Sequence, residues 1–139
     1  MIKDLVKRCE PLPANSKLLI LGAGFSGQHV AALAKKLGSS VICSRRNINS
    51  PNADCVFDSI TQQLPSKSAL RGVTHVLSCI PPDKNGEDPV LKNLKNHLYE
   101  LRLEWIGYLS TTGVYGDCQG KWVSEYDIPN PQLLRSQRR

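Results

Sequence analysis

The residues most clearly arranged for chemistry are the glycines of Gly22-Ala23-Gly24-Phe25-Ser26-Gly27, a G-x-G-x-x-G spacing. Such a spacing arises often by chance, so its neighbours carry the argument. The apolar run Lys17-Leu18-Leu19-Ile20-Leu21 leads into it as a buried strand would, and Val30, Leu33, Ala34 and Leu37 follow at helical spacing. In that setting Gly22 makes the tight turn, Gly24 lets the backbone approach a pyrophosphate, and Gly27 permits close helix–strand packing. Phe25 and Ser26 complete the turn. The helix start then offers unpaired N–H groups and the positive end of its dipole to the phosphates. No Lys-Ser or Lys-Thr follows the glycines, which excludes a nucleoside-triphosphate P-loop. The competing reading is a plain strand–helix turn; the chemistry expected is dinucleotide binding.

The end of the second strand chooses between dinucleotides. An NAD site places an acid there, about 20 residues past the glycines, on the ribose 2′-hydroxyl. This sequence has Cys43-Ser44-Arg45-Arg46 instead. Ser44 is expected to hydrogen-bond a 2′-phosphate and Arg45 to pair with it through its planar fork, favouring NADP over NAD. Alternatively, Arg45 and Arg46 are only a solvated loop pair.

The elements that must hold these residues alternate between strand and helix. Gly38 closes the first helix, Ser40-Val41-Ile42-Cys43 reads as the second strand, and Cys55-Val56-Phe57 as a short third. A fourth strand runs from Thr74 to Ile80 and stops at Pro81-Pro82. Asp88-Pro89 opens a helix with the apolar stripe Val90, Leu94, Leu98 and Leu101. Trp105 to Ser110 reads as a fifth strand. The pattern predicts an α/β Rossmann-type doubly wound parallel sheet of about five strands, order 3-2-1-4-5. It covers residues 17–139 as one NAD(P)-binding domain behind an amino-terminal extension, residues 1–16.

The 139 residues, 40% hydrophobic and 22% charged, fit one ordinary globular domain. No apolar run reaches the roughly 18 residues of a membrane helix, and residues 1–8 lack the apolar stretch of a signal peptide. Five scattered cysteines without a C-x-x-C pair argue against a disulfide framework or zinc cluster and for a reducing, cytoplasmic setting. The net charge of +6 is dispersed and not interleaved with aromatics, so no nucleic-acid partner is expected. His29, His75 and His97 have no triad or metal spacing, so no metal is expected.

The glycine turn, Arg45, Asp58, Ser78-Cys79-Ile80-Pro81 and Leu109-Ser110-Thr111-Thr112-Gly113-Val114-Tyr115-Gly116-Asp117 together resemble the extended short-chain dehydrogenase/reductases. Among these the sequence is similar to atypical members of the NAD-dependent epimerase/dehydratase group. The resemblance covers residues 17–139 and matches the family's amino-terminal half. It implies that Thr111 is the catalytic Ser/Thr, four residues before the Tyr of V-Y-G, with its hydroxyl on a substrate oxygen near the nicotinamide. The bland alternative is a strand-end threonine bonded to backbone. Tyr115 joins Thr111 in the candidate catalytic set as a structural or substrate-side residue. Asp58 is implied to contact the adenine amino group, with a loop-capping role as the alternative. Cys79, Ile80, Pro81 and Ser110 are implied to line the cofactor.

One departure stands out. Active members carry Tyr-x-x-x-Lys about 25 residues after that Ser/Thr, the Lys lowering the Tyr pKa for proton transfer. Counting from Thr111 lands on Ser136, and Tyr126 is followed four places later by Asn130. Two functions therefore stay open. One is the cofactor-binding half of an NADP-preferring oxidoreductase, epimerase or dehydratase. The other is a non-catalytic NADP-binding sensor with a degenerate site. The resemblance also implies a small-molecule substrate, with a sugar nucleotide among the candidates. It further implies a homodimer in the full-length protein, and a family length about twice this one, which makes the sequence an amino-terminal fragment.

Overall fold

The computed structural model describes residues 9–139. Strands β1 (Lys17–Leu21), β2 (Ser40–Arg45), β3 (Cys55–Val56), β4 (His75–Ser78) and β5 (Trp105–Tyr108) form one parallel sheet, ordered β3-β2-β1-β4-β5. In register, Leu18 lies between Val41 of β2 and His75 of β4, and Val76 pairs with Ile106. The expected fold and strand order are those observed. Helices α1 (Phe25–Lys36), α2 (Lys67–Leu70) and α3 (Pro89–Tyr99) make the crossovers, and a four-residue helix α4 (Leu134–Gln137) lies near the end of the chain.

β1 is apolar from Leu18 to Leu21 because it is central and covered on both faces. Leu18 and Ile20 join Ala23, Ala31 and Cys43 in the core under α1. Leu19 and Leu21 point the other way, into the core with Phe57, Val76, Val90, Leu94 and Leu98. α1 ends in a Schellman motif, with the Ser39 N–H donating to Ala34 O (2.9 Å) and Gly38 N–H to Lys35 O (3.0 Å). α3 starts as its sequence dictates: Asp88 Oδ1 accepts the Val90 and Leu91 N–H groups (2.8 and 3.0 Å), and Pro89 takes the first turn.

The differences lie at element ends. β2 continues to Arg45, two residues past the expected Cys43, because Ser44 and Arg45 pair with Cys55 and Val56. β3, β4 and β5 are each shorter than expected. α2 follows an N-cap at Ser66, whose hydroxyl accepts the Ala69 N–H (3.2 Å). A 3-10 turn covers Thr112–Tyr115. Ahead of β1, Leu12 packs on the α1-side core, and its N–H donates to Ser39 Oγ (3.3 Å). The sequence reading of residues 1–8 lies outside the described residues. Among the described residues no helix is long and apolar enough to cross a membrane, and no cluster of His, Cys, Asp or Glu could hold a metal ion.

Candidate functional site

Chain direction reverses its spread at β1: β2 and β3 lie to one side, β4 and β5 to the other. Ligands of open α/β sheets bind outside the carboxyl ends of the strands at this switch point, and there the glycine turn lies. Gly22 has φ +75°, and a Cβ on it would sit 2.5 Å from Ile80 Cγ1, so both backbone and neighbour require glycine. A Cβ on Gly27 would come 3.1 Å from Ile20 Cγ2, which makes Gly27 the close contact of α1 on β1. Around Gly24 the space is open, the nearest atom being Gly22 O at 3.9 Å from a built Cβ.

Gly24 is itself the N-cap of α1, no side chain caps the helix, and its first turn carries no acid. The first amides of α1 therefore face outward without an intrahelical partner, at the positive end of a 12-residue dipole. Phe25 and Ser26 are exposed on that turn. These features fit a pyrophosphate: open backbone, free donors and no competing carboxylate.

A cavity of about 460 Å³ opens beside the turn. Gly22, Gly24, Arg45, Arg46, Asp58, Cys79, Ile80 and Pro81 line it, joined by Phe57, Ile60 and Asp83. Arg45 is half-buried and its Nη1 donates to the Ala23 carbonyl, which bends the guanidinium over the turn. Asp58 Oδ1 accepts the Ile60 N–H (3.0 Å) and Oδ2 the Thr61 hydroxyl (2.8 Å), so the carboxylate braces its own loop. The Ile60 amide, the Thr61 hydroxyl and the Arg46 charge hold its pKa below the usual carboxylate range. Asp83 is also held low, first by the Glu87 N–H. Burial pushes the Cys79 thiol up, leaving it a neutral, apolar wall.

Ser44 is a correction. It was expected on a 2′-phosphate, but it is fully buried (0% exposed), and its hydroxyl accepts the Gly22 N–H at 3.1 Å. Its carbonyl also accepts the Ala23 N–H (3.0 Å). Ser44 thus clamps the turn from beneath and presents nothing to a ligand.

The second cavity, about 830 Å³, lies past the ends of β4 and β5. Pro81 lines both cavities, so they adjoin at that residue, and the pair is the trough at the carboxyl edge of the sheet. Thr111 lies in this second part with Thr112, Gly113, Asp117, Ser136 and three arginines, Arg135, Arg138 and Arg139. The Thr111 hydroxyl accepts the Gly113 N–H (3.3 Å), capping the 3-10 turn, and keeps its own proton to donate. Ser110 is exposed, Tyr115 is half-buried, and neither lines either of these two cavities. The Tyr115 carbonyl instead accepts the Cys118 thiol (3.5 Å). Sequence reasoning passed over Asp83, Arg135, Arg138 and Arg139 as contributors to the trough; the local signal for the arginines was the basic run after Leu134.

No protein-family model matches the sequence, and no curated protein does. Solved structures do match. A conserved protein of unknown function from Silicibacter pomeroyi is 33% identical over 89% of this chain and 45% of its own, with a TM-score of 0.68. The UDP-N-acetylglucosamine 4-epimerase of Bacillus cereus is 24% identical over 88% of this chain and 46% of its own, TM-score 0.67. A short-chain dehydrogenase/reductase superfamily protein from Agrobacterium tumefaciens with bound NAD is 17% identical over 88% and 41%, TM-score 0.61. The likeness shows the Rossmann-type fold, and the chain spans less than half the length of each of these proteins.

Proposed function

We propose that this chain is the dinucleotide-binding part of an NAD(P)-dependent enzyme of the extended short-chain dehydrogenase/reductase type, close to the epimerase/dehydratase group and preferring NADP. One observation carries the reading: an uncapped, acid-free helix start behind a glycine turn at the sheet's switch point, opening on a trough that runs from Arg45 to Thr111. Similar folds in the Bacillus cereus epimerase and the NAD-bound Agrobacterium tumefaciens protein support it. Each residue then has a task. The amides at the start of α1 take the pyrophosphate. Arg45 meets the 2′-phosphate and no acid competes at the end of β2. Asp58, which lines the same cavity, would take the adenine amino group. Cys79, Ile80 and Pro81 supply apolar surface. A nicotinamide held there would supply or accept a hydride, and the Thr111 hydroxyl would hydrogen-bond a substrate hydroxyl or carbonyl oxygen.

A small-molecule substrate, a sugar nucleotide among the candidates, belongs to the same reading, as do a homodimer and a cytoplasmic setting. The domain would be residues 17–139. A second reading, a dinucleotide-binding sensor without turnover, is favoured by one observation: Ser136 stands where the family has its catalytic Tyr.

Calorimetric titration of NADPH and NADH tests the proposal. Tighter NADPH binding is expected. Equal affinities would remove the NADP preference, and no binding by a folded chain would remove the reading. Thr111→Val in the active protein is expected to lower turnover and leave dinucleotide affinity unchanged. Binding with no turnover on a broad alcohol and carbonyl panel would favour the sensor.

A further inference from the structure

Arg135, Arg138 and Arg139 converge on the cavity that holds Thr111, against a single lining carboxylate, Asp117, whose Oδ1 accepts the Gln119 N–H (2.8 Å). Exposed arginines are usually dispersed along a surface, but these three line one cavity, and the backbone that carries them is held in place. Ser136, between Arg135 and Arg138, is 4% exposed, and its hydroxyl lies 2.6 Å from where a Gly113 Cβ would be, so α4 is seated directly on the turn that Thr111 caps. Gln137 Nε2 donates to Pro131 O (3.3 Å), tying α4 to the preceding loop. Arg139 donates to Leu109 O (3.0 Å) at the end of β5 and lies over the Tyr108 ring, 5.8 Å from its centroid. Among the described residues, the side chains of Arg135 and Arg138 make no hydrogen bond or ion pair.

We propose that this cavity is an anion site, in which Arg135 and Arg138, backed by Arg139, hold the phosphate or carboxylate of the molecule whose oxygen meets Thr111. The inference rests on the reading of Thr111 given above and adds to it the substrate's chemical class: a hydroxy or oxo compound bearing an anionic group. Three guanidiniums in one concave site repel one another, and a bound anion relieves that repulsion while filling their forks bidentately. Three arginine side chains against one carboxylate side chain, Asp117, make the lining predominantly positive and favour an anion over a neutral molecule. A neutral substrate would leave the charge uncompensated.

The probe is phenyl phosphate, with benzoate and benzyl alcohol as the carboxylate and neutral counterparts. Each is titrated by calorimetry and amide NMR into the chain saturated with NADPH, so that the glycine turn is already filled. Phenyl phosphate is expected to bind and shift the amides of residues 111–113, with benzyl alcohol silent. Benzoate binding as tightly as phenyl phosphate would assign the site to carboxylates. The Arg135→Ala/Arg138→Ala double variant should weaken phosphate binding about tenfold or more and leave NADPH affinity within about twofold. Arg138→Gln, a milder change, should give an intermediate loss.

NADPH binding with no phosphate binding, or phosphate binding indifferent to Arg135 and Arg138, would overturn the proposal. If NADPH does not bind, the titration is made on the free chain. Phosphate affinity lost with Arg135 and Arg138 but not with Arg45→Ala would keep the anion site and remove the dinucleotide reading; affinity lost only with Arg45→Ala would remove the anion site.

Discussion

Replacing Arg45 by alanine separates two jobs that the geometry has joined in one side chain. Its Nη1 donates to the carbonyl of Ala23, a fully buried residue, and among the described residues no other group donates to that oxygen. Truncation leaves the carbonyl without a partner, at about 1–3 kcal/mol of stability, or a melting temperature lower by about 3–10 °C. The turn loosens, and both dinucleotides bind less well by the same factor. The second job concerns NADPH alone. A charge-assisted contact with the 2′-phosphate is worth about 1.5–3 kcal/mol when well shielded; Arg45 is only half-buried, so about 1–2 kcal/mol is the fitting range. The assay follows from this partition. NADPH and NADH are titrated against wild type and Arg45→Ala, and the ratio of their affinities is compared. The ratio should fall about 5–30-fold, whatever happens to the two affinities separately. An unchanged ratio would show that Arg45 only braces the turn and would refute the assignment of the 2′-phosphate to it.

Two further outcomes are expected. Asp88→Ala removes a carboxylate that accepts two amides at the start of α3, and should cost about 1 kcal/mol in urea unfolding with an unchanged m-value; Asp88→Asn should cost less than half of that. Burial, helped by the Asp54 charge, pushes the Cys55 thiol up to about 11 from 9.0. The folded chain therefore holds a proton that the unfolded chain releases, and stability should decline as pH rises from about 9 to about 11. Denaturation midpoints across that range check the sign, and Cys55→Ala should flatten the decline.

What the sequence made legible was local. The lead from β1 into the glycine turn and α1, and the Asp88-Pro89 start of α3, depend on residues within a few positions of one another, and all stand in the structure as expected. Ser44 misled because its environment is non-local. A serine at a strand's carboxyl end reads as a ligand, but β2 extends through it to pair with β3, and Gly22, 22 residues away, takes its hydroxyl. α2 escaped notice because four residues are too few for a helical period, leaving only the cap at Ser66. The turn over Thr112–Tyr115 has no period either. It is held from a distance, by the Asn130 N–H on Val114 O (2.9 Å) and by Ser136 against Gly113.

That long-range seating bears on the missing Tyr-x-x-x-Lys. A Cβ on Gly113 would lie 2.6 Å from Ser136 Oγ, so a larger residue at position 113 would collide with the residue that stands where the family has its Tyr. Tyr126 does not substitute for it, being 89% exposed and outside the trough. The polar side chains that line the Thr111 cavity are hydroxyls, the Gln132 carboxamide, one carboxylate and guanidiniums. Guanidiniums do not release protons near neutral pH, but they stabilise negative charge on oxygen where they are fixed and concave. Chemistry at this end of the trough would then draw on charge stabilisation by the arginines in and after α4 and on a hydrogen bond from the Thr111 hydroxyl, in place of a phenol tuned by lysine. The two ends thus differ in kind: the dinucleotide end is made mostly of backbone at a glycine turn, while the substrate end depends on whether α4 stays on Gly113.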